Sequence, residues 1–436
     1  MKKKLTATLL SVVMSTALIA GCGAQSQVNT GKVDKSQNAG KTKLTFMAVG
    51  GSNEKAFTDV IEEAAKKFNA NNEYNAEIDL EWYENEQYKV KLATLMTQDD
   101  VTDIFFTWEA GFMKDYVESG KVASLSGALN NDSELSDRFN SGVFSAVTFD
   151  DEIYAVPMGQ AIIPVYYNKA LFAEHNVKVP ATWDDFMGAV KTFKDAGIVP
   201  VSMATKDAWV SAQMMLELSG GIGGPELFSD IVAGKTTWDD ERYIETGRVF
   251  QELVHAGAFP EGFLGLSYDE GRGLFTSGKA AMYPMGTWDT SAIIGEMGDE
   301  ANIGVFLQPA KNPEYNDTHI ASVEKLFAVS EKCENKEAAF AFLKILSDSD
   351  IQEKYMVDCG SLLATKLEVD ASKVDSVTAE IAKLQKNVTN TLTPMDRQFG
   401  ANIGGEFNNI SLAIAAGGDP KEQFTFLKDY AARESK

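Results

Sequence analysis

Residues 44–82 read LTFMAVGGSNEKAFTDVIEEAAKKFNANNEYNAEIDLEW, and the spacing of their apolar side chains changes twice along this segment. The run from Leu44 to Val49 is apolar enough for a buried strand. Ser52 and Asn53 can cap a helix, whose apolar face recurs at helical spacing: Phe57, Val60, Ile61, Ala64, Ala65 and Phe68. Alternation from Ala76 to Trp82 predicts a second strand. The segment is therefore a strand–helix–strand unit.

The alternation of helix and strand continues beyond this unit. Two helix faces are expected on either side of a short buried strand at 103–106: Tyr88, Leu92, Leu95 and Met96, then Phe112, Met113, Tyr116 and Val117. This order predicts a parallel sheet with helices on both faces, and hence an α/β fold. Ligands of such folds sit beyond the carboxyl ends of the strands.

Length and charge narrow the class of protein. About 390 residues remain for folding after the N-terminal segment described below, and a single core stops growing near ~250–300 residues, so two lobes are expected. The formal net charge of −23 disfavours nucleic acid and an anionic membrane surface as ligands. It suits a protein that binds a neutral ligand outside the cell.

Residues 1–21 are typical of a secretory signal. Lys2–Lys4 form a charged start, and residues 5–20 are apolar but too short and interrupted for a good membrane span. The sequence Ile19-Ala20-Gly21-Cys22 resembles a bacterial lipobox, in which the chain is cut before the Cys and the thiol carries a diacylglycerol. Lipid attachment at Cys22 is therefore predicted. The alternative is an ordinary secretory signal in which Cys22 is incidental.

Residues 22–42 are predicted to form a flexible tether, because they are polar, aperiodic and free of aromatic side chains. The low Arg content, the high Lys content and this long tether favour a Gram-positive surface over a Gram-negative periplasm. Cys333 and Cys359 could pair in such a compartment. Their separation is not readable from sequence, so two free, buried thiols are the equal alternative.

Several motifs resemble those of one protein family. YYNKALF at 166–172 and PATWDDF at 180–186 resemble a signature of extracellular solute-binding proteins, the capture subunits of ABC importers, in the branch that mostly binds carbohydrates. Weaker matches follow in the family's order: VTDIF at 101–105, YVESGK at 116–121, DEIYAVP at 151–157, FTSGKAAM at 275–282, GTW at 286–288, FAVS at 327–330 and NKEAAFAFL at 335–343. Thr102 stands where the family usually has Pro, and Glu152 where it has Gly. The chain thus resembles family 1 of these proteins, the maltose-binding-protein-like sugar-binding lipoproteins.

This resemblance implies a two-lobed periplasmic-binding-protein fold of type II, with a mainly parallel sheet in each lobe and a hinge of two or three segments. The implied lobes are 43–158 with 324–365, and 159–323 with 366–436, with crossings near 158–163, 320–324 and 363–369. It further implies a monomer that is not an enzyme and has no cofactor or metal. Such a protein captures a mono- or oligosaccharide and delivers it to ABC permease subunits in the membrane.

A sugar site needs flat aromatic surfaces together with groups that donate and accept hydrogen bonds. Trp108 follows the third predicted strand and is a cleft candidate, although packing beneath the next helix is its alternative. Trp209 and Trp288 lie where the family often has a sugar-contacting aromatic residue, but Trp209 could equally be a core residue at a helix start. Glu109 and Asp289 follow Trp108 and Trp288 and are candidate polar contacts.

Further polar candidates lie in loops and at the expected hinges: Asn53 and Glu54 after the first strand, Tyr83 at the end of the second, Gln160 and Glu324 at the first two crossings, and Arg397 in a late loop. Each has a plain structural alternative. Asn53 can simply cap a helix, Glu324 can be a solvated hinge carboxylate, and Arg397 can pair with the neighbouring Asp396.

The sequence matches motifs of catalytic sites only poorly. Residues 273–280 nearly spell a phosphate-binding loop, but Ala280 replaces the Ser or Thr that binds Mg²⁺. The three histidines, His175, His255 and His319, are scattered, which disfavours a zinc site. Two alternatives stay open. One is a secreted carbohydrate-active enzyme, and the other is the same fold binding a polyamine, a phosphate ester or a metal complex.

Overall fold

The N-terminal part of the fold repeats the strand–helix order expected from the sequence. The structure is a computed structural model that describes residues 41–434. It begins with these elements: β1 (Thr42–Val49), α1 (Lys55–Ala70), β2 (Ala76–Tyr83), α2 (Asn85–Gln98), β3 (Ile104–Thr107) and α3 (Gly111–Glu118). β1 lies between β2 and β3 and is parallel to both. The expected parallel arrangement is confirmed for these three strands.

The remaining elements extend this core and build a second one. The strands are β4 (Thr148–Phe149), β5 (Glu152–Ile153), β6 (Val156–Ile162), β7 (Val165–Asn168), β8 (Val199–Val201), β9 (Ala280–Pro284), β10 (Ile303–Phe306), β11 (Thr318–Val329), β12 (Leu362–Leu363) and β13 (Asn390–Leu392). The helices are α4 (Ser126–Asn131), α5 (Ser133–Asp137), α6 (Lys169–Glu174), α7 (Trp183–Asp195), α8 (Trp209–Val232), α9 (Glu241–Ala256), α10 (Tyr268–Thr276), α11 (Thr290–Met297), α12 (Lys336–Leu346), α13 (Ser349–Cys359), α14 (Ser376–Gln385), α15 (Met395–Gln398), α16 (Gly400–Ala415) and α17 (Pro420–Glu434).

The two larger sheets are mixed, which corrects the expectation of mainly parallel sheets. A seven-stranded sheet has the order β12-β6-β11-β3-β1-β2, with β13 paired to β11, and a four-stranded sheet has the order β10-β7-β9-β8. β11 is antiparallel to both β3 and β6, and β7 is antiparallel to β9 and β10. β6 and β11 are antiparallel because the chain leaves the seven-stranded sheet along β6 and returns to it along β11. The α/β class itself is confirmed.

Buried apolar side chains form two separate clusters, and β6 and β11 contribute to both. Met158 and Leu326 belong to the first cluster, whereas Ile162 and Ile320 belong to the second. The two strands run side by side and therefore carry the chain from one cluster to the other. The clusters draw on these parts of the chain: 44–158 with 323–364, and 162–320 with 362–427.

The two strongest sequence motifs correspond to helix starts. The Asn168 side chain accepts a hydrogen bond from the Leu171 N–H at 3.0 Å and so caps α6. Thr182 caps α7 through a reciprocal pair with Asp185, in which each side chain accepts a backbone N–H of the other residue. Such caps satisfy amide groups that have no partner within the helix. The motifs therefore reflect local backbone requirements.

Both C-terminal cysteines are free and buried. Burial raises the pKa of the Cys333 thiol to about 12, so this thiol stays protonated at neutral pH. The predicted signal segment, Cys22 and the tether up to residue 40 lie outside the described residues. Within residues 41–434, no helix combines the length and apolar character needed to cross a membrane.

Candidate functional site

A cavity of about 360 Å³ opens at the carboxyl ends of the parallel strands β1, β2 and β3. Val49 and Gly50 line it at the end of β1, Glu84 follows β2, and Thr107 ends β3. The expected ligand position in an α/β sheet is this edge, where strand ends and helix starts leave a crevice. Side chains associated with the second core cluster close the cavity from the other side.

Three aromatic side chains form one face of the cavity, here called the aromatic wall: Trp209, Tyr268 and Trp288. The ring centroids of Trp209 and Tyr268 are 5.7 Å apart, and those of Trp209 and Trp288 are 6.3 Å apart. The Trp288 indole N–H donates to the Tyr268 hydroxyl at 3.2 Å. All three rings are half-buried, so they pack together while still facing the cavity.

The backbone before Trp288 explains the glycine at position 286. A Cβ atom added to Gly286 would lie 2.2 Å from carbon atoms of the Trp288 ring. The indole therefore lies directly over the Gly286 backbone. A larger residue at this position would push the ring out of the aromatic wall.

A buried arginine supports the aromatic wall from behind. The Arg272 guanidinium contacts the carboxylates of Asp289 at 3.0 Å, Glu296 at 2.7 Å and Asp269 at 3.0 Å. It also lies 5.6 Å from the Tyr268 ring, within range of a cation–π interaction. One cation thus fixes three carboxylates and one ring of the wall, at a residue that is only 6% exposed.

Asp289 lines the cavity but its oxygens already have partners inside the protein. One oxygen contacts Arg272, and the other accepts a hydrogen bond from the Tyr283 hydroxyl at 3.2 Å. Burial raises the pKa of Asp289 to about 6, and the nearby Arg272 opposes that rise. Asp289 therefore acts mainly as an anchor for the residues around Trp288.

Charged side chains form another part of the lining, with Glu109 behind them, and are here called the charged wall: Glu54, Glu109, Glu324, Lys325 and Arg397. Lys325 forms an ion pair with Glu54, and its ammonium lies 4.3 Å from the ring centroid of Phe57. An Arg397 nitrogen lies 3.4 Å from a carboxylate oxygen of the buried Glu109. Burial raises the pKa of Glu109, while the charge of Arg397 lowers it.

Glu324 differs from the other carboxylates of the charged wall. Its side chain is buried, with 7% of the residue exposed, and within the described residues its Oε2 atom has no hydrogen-bond partner. Burial raises the pKa of Glu324 to about 7, and Lys325 lowers it in part. This carboxylate therefore gains from any donor that a ligand brings into the cavity.

Lys325 has an unusual backbone conformation within the strand β11, which contributes to both core clusters. Its φ angle is +52°, a left-handed conformation that side-chain-bearing residues rarely adopt. Its neighbours Glu324 and Leu326 pair with Gly159 and Pro157 of β6 on either side of it. The backbone strain thus lies where the chain passes between the two core clusters, and the ion pair with Glu54 holds it there.

Trp108 is both a cavity residue and a core residue, the two alternatives that the sequence left open. It lines the cavity, yet its ring packs edge-on against Phe112 of α3 at 4.7 Å and against Phe106 at 4.9 Å. The Lys89 ammonium lies 5.5 Å from the ring. Trp108 is therefore a core residue with one edge at the cavity.

The structure brings together most of the candidate residues proposed from sequence. The following line the cavity: Glu54, Trp108, Trp209, Trp288, Asp289, Glu324 and Arg397. Glu109 lies behind Arg397. Tyr83 and Gln160 do not line this cavity; Tyr83 packs 6.3 Å from Tyr88, and the Gln160 Oε1 atom lies 3.5 Å from the Gln385 amide. The Asn53 side chain and Cys22 lie outside the described part of the chain.

Sequence reasoning missed several polar and aromatic residues of the lining: Asn85, Gln213, Tyr268 and Asn408. One signal was available for Tyr268, because Ser267 and Glu270 form a capping box that starts α10 at this residue. For the others, only the docking of distant segments brings the side chains to the cavity. Among residues 41–434, no group of three His, Cys, Asp or Glu side chains is placed to hold a metal ion.

Comparison with known proteins identifies the family. The family model of bacterial extracellular solute-binding proteins matches residues 50–353. The chain belongs to this family. The matched region starts directly after β1 and includes β2 to β11. It therefore contains the aromatic wall and most of the charged wall.

Relatives and a solved structure support the same assignment over most of the chain. An uncharacterized ABC transporter extracellular-binding protein of Pyrococcus horikoshii is 25% identical over 319 residues, 70% of each chain. The diacetylchitobiose binding protein DasA of Streptomyces coelicolor is 24% identical over 409 residues, 92% of this chain and 91% of that protein. A structure from work on xylan utilization by Caldanaerobius polysaccharolyticus has a TM-score of 0.82 at 28% identity, covering 89% of this solute-binding protein and 99% of that chain.

Proposed function

We propose that this solute-binding protein captures a carbohydrate, in the first place an oligosaccharide, outside the cell and delivers it to an ABC importer. The observation that carries the proposal is the aromatic wall facing a wall of carboxylates and cations across a cavity of about 360 Å³. Sugars present C–H groups on their faces and hydroxyls at their rims, so they need both kinds of surface. The relatedness to DasA, which is named for diacetylchitobiose, supports the same ligand class.

The two walls divide the contacts between them. Sugar ring faces stack on Trp209 and Trp288, whose rings remain half-buried and open to the cavity. Hydroxyl groups donate to Glu54 and Glu324 and accept from Arg397, all of which line the cavity. Charge-assisted hydrogen bonds of this kind are stronger than neutral ones.

Sugar binding closes the two core clusters on each other through the crossing strands. β6 and β11 serve as two hinge segments, because each contributes residues to both clusters. Leu362 and Leu363 form a third, because these adjacent residues belong to different clusters. The lobes then follow the boundaries expected from sequence, 43–158 with 324–365 and 159–323 with 366–436. A change from 1:99 to 99:1 closed requires ~5.5 kcal/mol of differential affinity, which contacts from both walls supply together.

The remaining parts of the proposal concern place and partners. Cys22 carries the lipid anchor, residues 22–42 tether the folded body to a Gram-positive surface, and the protein works as a monomer with ABC permease subunits. The protein performs no chemistry on the sugar. Incubation with oligosaccharides therefore leaves them intact, and cleavage products would instead favour a carbohydrate-active enzyme.

A thermal-shift screen of mono- and oligosaccharides tests the ligand class. A ligand that binds only the native state stabilises it by mass action, by about 2.7 kcal/mol at a hundredfold excess over Kd. We expect at least one saccharide to raise the unfolding midpoint of the wild type and to lose this effect in Trp288→Ala. Trp183→Ala is the matched control, since Trp183 starts α7 and does not line this cavity. A shift produced by polyamines or phosphate esters, with none from saccharides, would contradict the proposal.

A further inference from the structure

The cations that line the cavity are already neutralised by carboxylates of the protein. The basic residues among the lining are Lys89, Lys325 and Arg397. Lys89 lies 3.0 Å from a Glu86 carboxylate oxygen, Lys325 pairs with Glu54, and Arg397 pairs with Glu109. The described lining therefore holds no cation left over for a further negative charge.

Glu324 is the carboxylate that these pairs leave over at the centre of the charged wall. It is nine-tenths buried, lines the cavity, and its Oε2 atom has no partner among residues 41–434. Lys325 and Arg397 act on this carboxylate only through their charge. A buried carboxylate oxygen without a hydrogen-bond partner is costly, and protonation or pairing with a donor relieves the cost. The raised pKa of Glu324 reflects the first route. A ligand with a positive charge offers the second.

The ligand that best complements these side chains is a carbohydrate that carries one positively charged group. A neutral hydroxyl offers one donor to Glu324, whereas an ammonium offers three donors and the missing charge. The aromatic wall tolerates such a group, because ring faces attract cations as well as sugar C–H groups. An anionic sugar would meet Glu324 with repulsion and find the cations of the lining already paired.

We propose that the protein prefers amino sugars with a free, protonated amine, and that Glu324 binds the ammonium group. This proposal rests on the proposed carbohydrate function and specifies its ligand class. The preference arises from one buried carboxylate, so it disappears when that charge is removed while the aromatic wall stays intact.

Matched sugar pairs test the preference directly. Each pair keeps the ring skeleton and replaces one hydroxyl on every ring by an amine: glucose with glucosamine, galactose with galactosamine, and cellobiose with the β-1,4-linked disaccharide of glucosamine, which carries two amines. Calorimetry of the full chain, at a pH where the sugar amine is protonated, gives the ratio of affinities within each pair. We expect the amine of the best-bound pair to bind at least about tenfold more tightly, the size of one charge-assisted hydrogen bond.

Variants then assign the preference to Glu324. Glu324→Gln keeps the shape and removes the charge, so we expect the ratio of amine to neutral-sugar affinity within each pair to fall to about one, whatever the variant's affinity for the neutral sugar. Glu118→Gln is the control, because Glu118 is exposed on α3 and pairs with Lys114 away from the cavity; it removes the same charge and keeps the preference. Thermal unfolding of each variant verifies that it is folded.

The outcomes separate this inference from the proposed function. Tighter binding of the neutral partner in wild type, or a preference that survives in Glu324→Gln, overturns the amino-sugar proposal and leaves carbohydrate capture standing. Binding of no sugar in the panel by a folded wild type overturns both proposals.

Discussion

The two walls of the cavity bind their own polar groups in different ways. In the aromatic wall, Arg272 joins three carboxylates, and Asp289 has protein partners for both of its oxygens. In the charged wall, Lys325 and Arg397 each neutralise one carboxylate, while Glu324 is left with an oxygen that has no partner in the described structure. One wall is internally complete, and the other is incomplete without a ligand.

This difference assigns separate tasks to the walls. A completed network holds ring faces in fixed positions, which lowers the ordering cost when a flat ligand stacks on them. An unpaired carboxylate discriminates among ligands, because a buried polar group left without a partner costs free energy. We therefore propose that the aromatic wall provides general affinity for sugar rings and that the charged wall provides the preference for particular substituents.

The largest expected effect comes from removing the cation that completes the aromatic wall. Arg272→Met leaves the buried Asp289 without its counterion, and loss of one partner of a buried pair typically costs ~3–5 kcal/mol. We expect the free energy of unfolding to fall by about that amount in urea denaturation. Arg248→Met is the control, since Arg248 makes its ion pairs on an exposed helix face; an equal loss in both variants would refute the special role of Arg272.

Removing one ring of the aromatic wall is expected to affect affinity more than stability. Trp288→Ala deletes a stacking surface, and losing roughly 100 Å² of apolar contact corresponds to ~2–3 kcal/mol, or about 30- to 150-fold in Kd. Calorimetry with the best saccharide of the thermal-shift screen measures this change. Unchanged affinity in a folded Trp288→Ala protein would show that Trp288 does not contact the sugar.

Glu324 in the charged wall predicts a pH dependence of stability that extends to neutral pH. The pKa of Glu324 rises from its ordinary value of 4.5 to about 7 in the folded protein. Between these values the folded state binds more protons than the unfolded state, so its stability falls as the pH rises through this window. Glu54, Glu109, Lys325 and Arg397 surround this carboxylate, and their charges act on its pKa.

Replacing Glu324 isolates this contribution. Glu324→Gln cannot ionise, so its stability relative to wild type should increase by on the order of 2 kcal/mol between about pH 4.5 and about pH 8. Denaturation midpoints at several pH values give the difference, with Glu118→Gln as the flat control. A constant difference between Glu324→Gln and wild type would mean that Glu324 does not titrate in this range.

The smallest expected effect concerns the backbone under Trp288. The added methyl of Gly286→Ala would lie 2.2 Å from the indole, so the ring must move and the affinity for the sugar should fall about tenfold, ~1.4 kcal/mol. In Gly295→Ala the added methyl meets no atom within 4 Å, so this variant on α11 should bind the sugar normally. Equal affinities of the two variants would show that the exact position of Trp288 does not matter.

Much of the fold could be predicted because its signals are local. The apolar face of α1, from Phe57 to Phe68, is buried as its spacing predicted, and β1, β2 and β3 pair in parallel as the strand–helix order requires. The antiparallel return of β11 could not be predicted in this way. Its direction depends on where the chain re-enters the first sheet after more than a hundred residues, which no local pattern encodes.

The residues of the candidate site could likewise be predicted only where the sequence nearby marks them. Trp209 and Trp288 could be proposed because they lie where the family often has an aromatic residue that contacts the sugar. Gln213 and Asn408 were missed because only the packing of α8 and α16 brings them to the cavity. Sequence also suggested Asp289 as a ligand contact, but the Arg272 network that occupies its oxygens is formed by residues from separate helices.

The most direct test of the account titrates one sugar into proteins altered in one wall at a time. Calorimetry compares wild type with Trp209→Ala in the aromatic wall and Arg397→Lys in the charged wall, using the best saccharide from the thermal-shift screen. The account predicts saturable binding of one sugar per wild-type chain and at least about tenfold weaker binding in each variant. Absence of saturable heat from a folded wild type, or full affinity after a change in either wall, would contradict it.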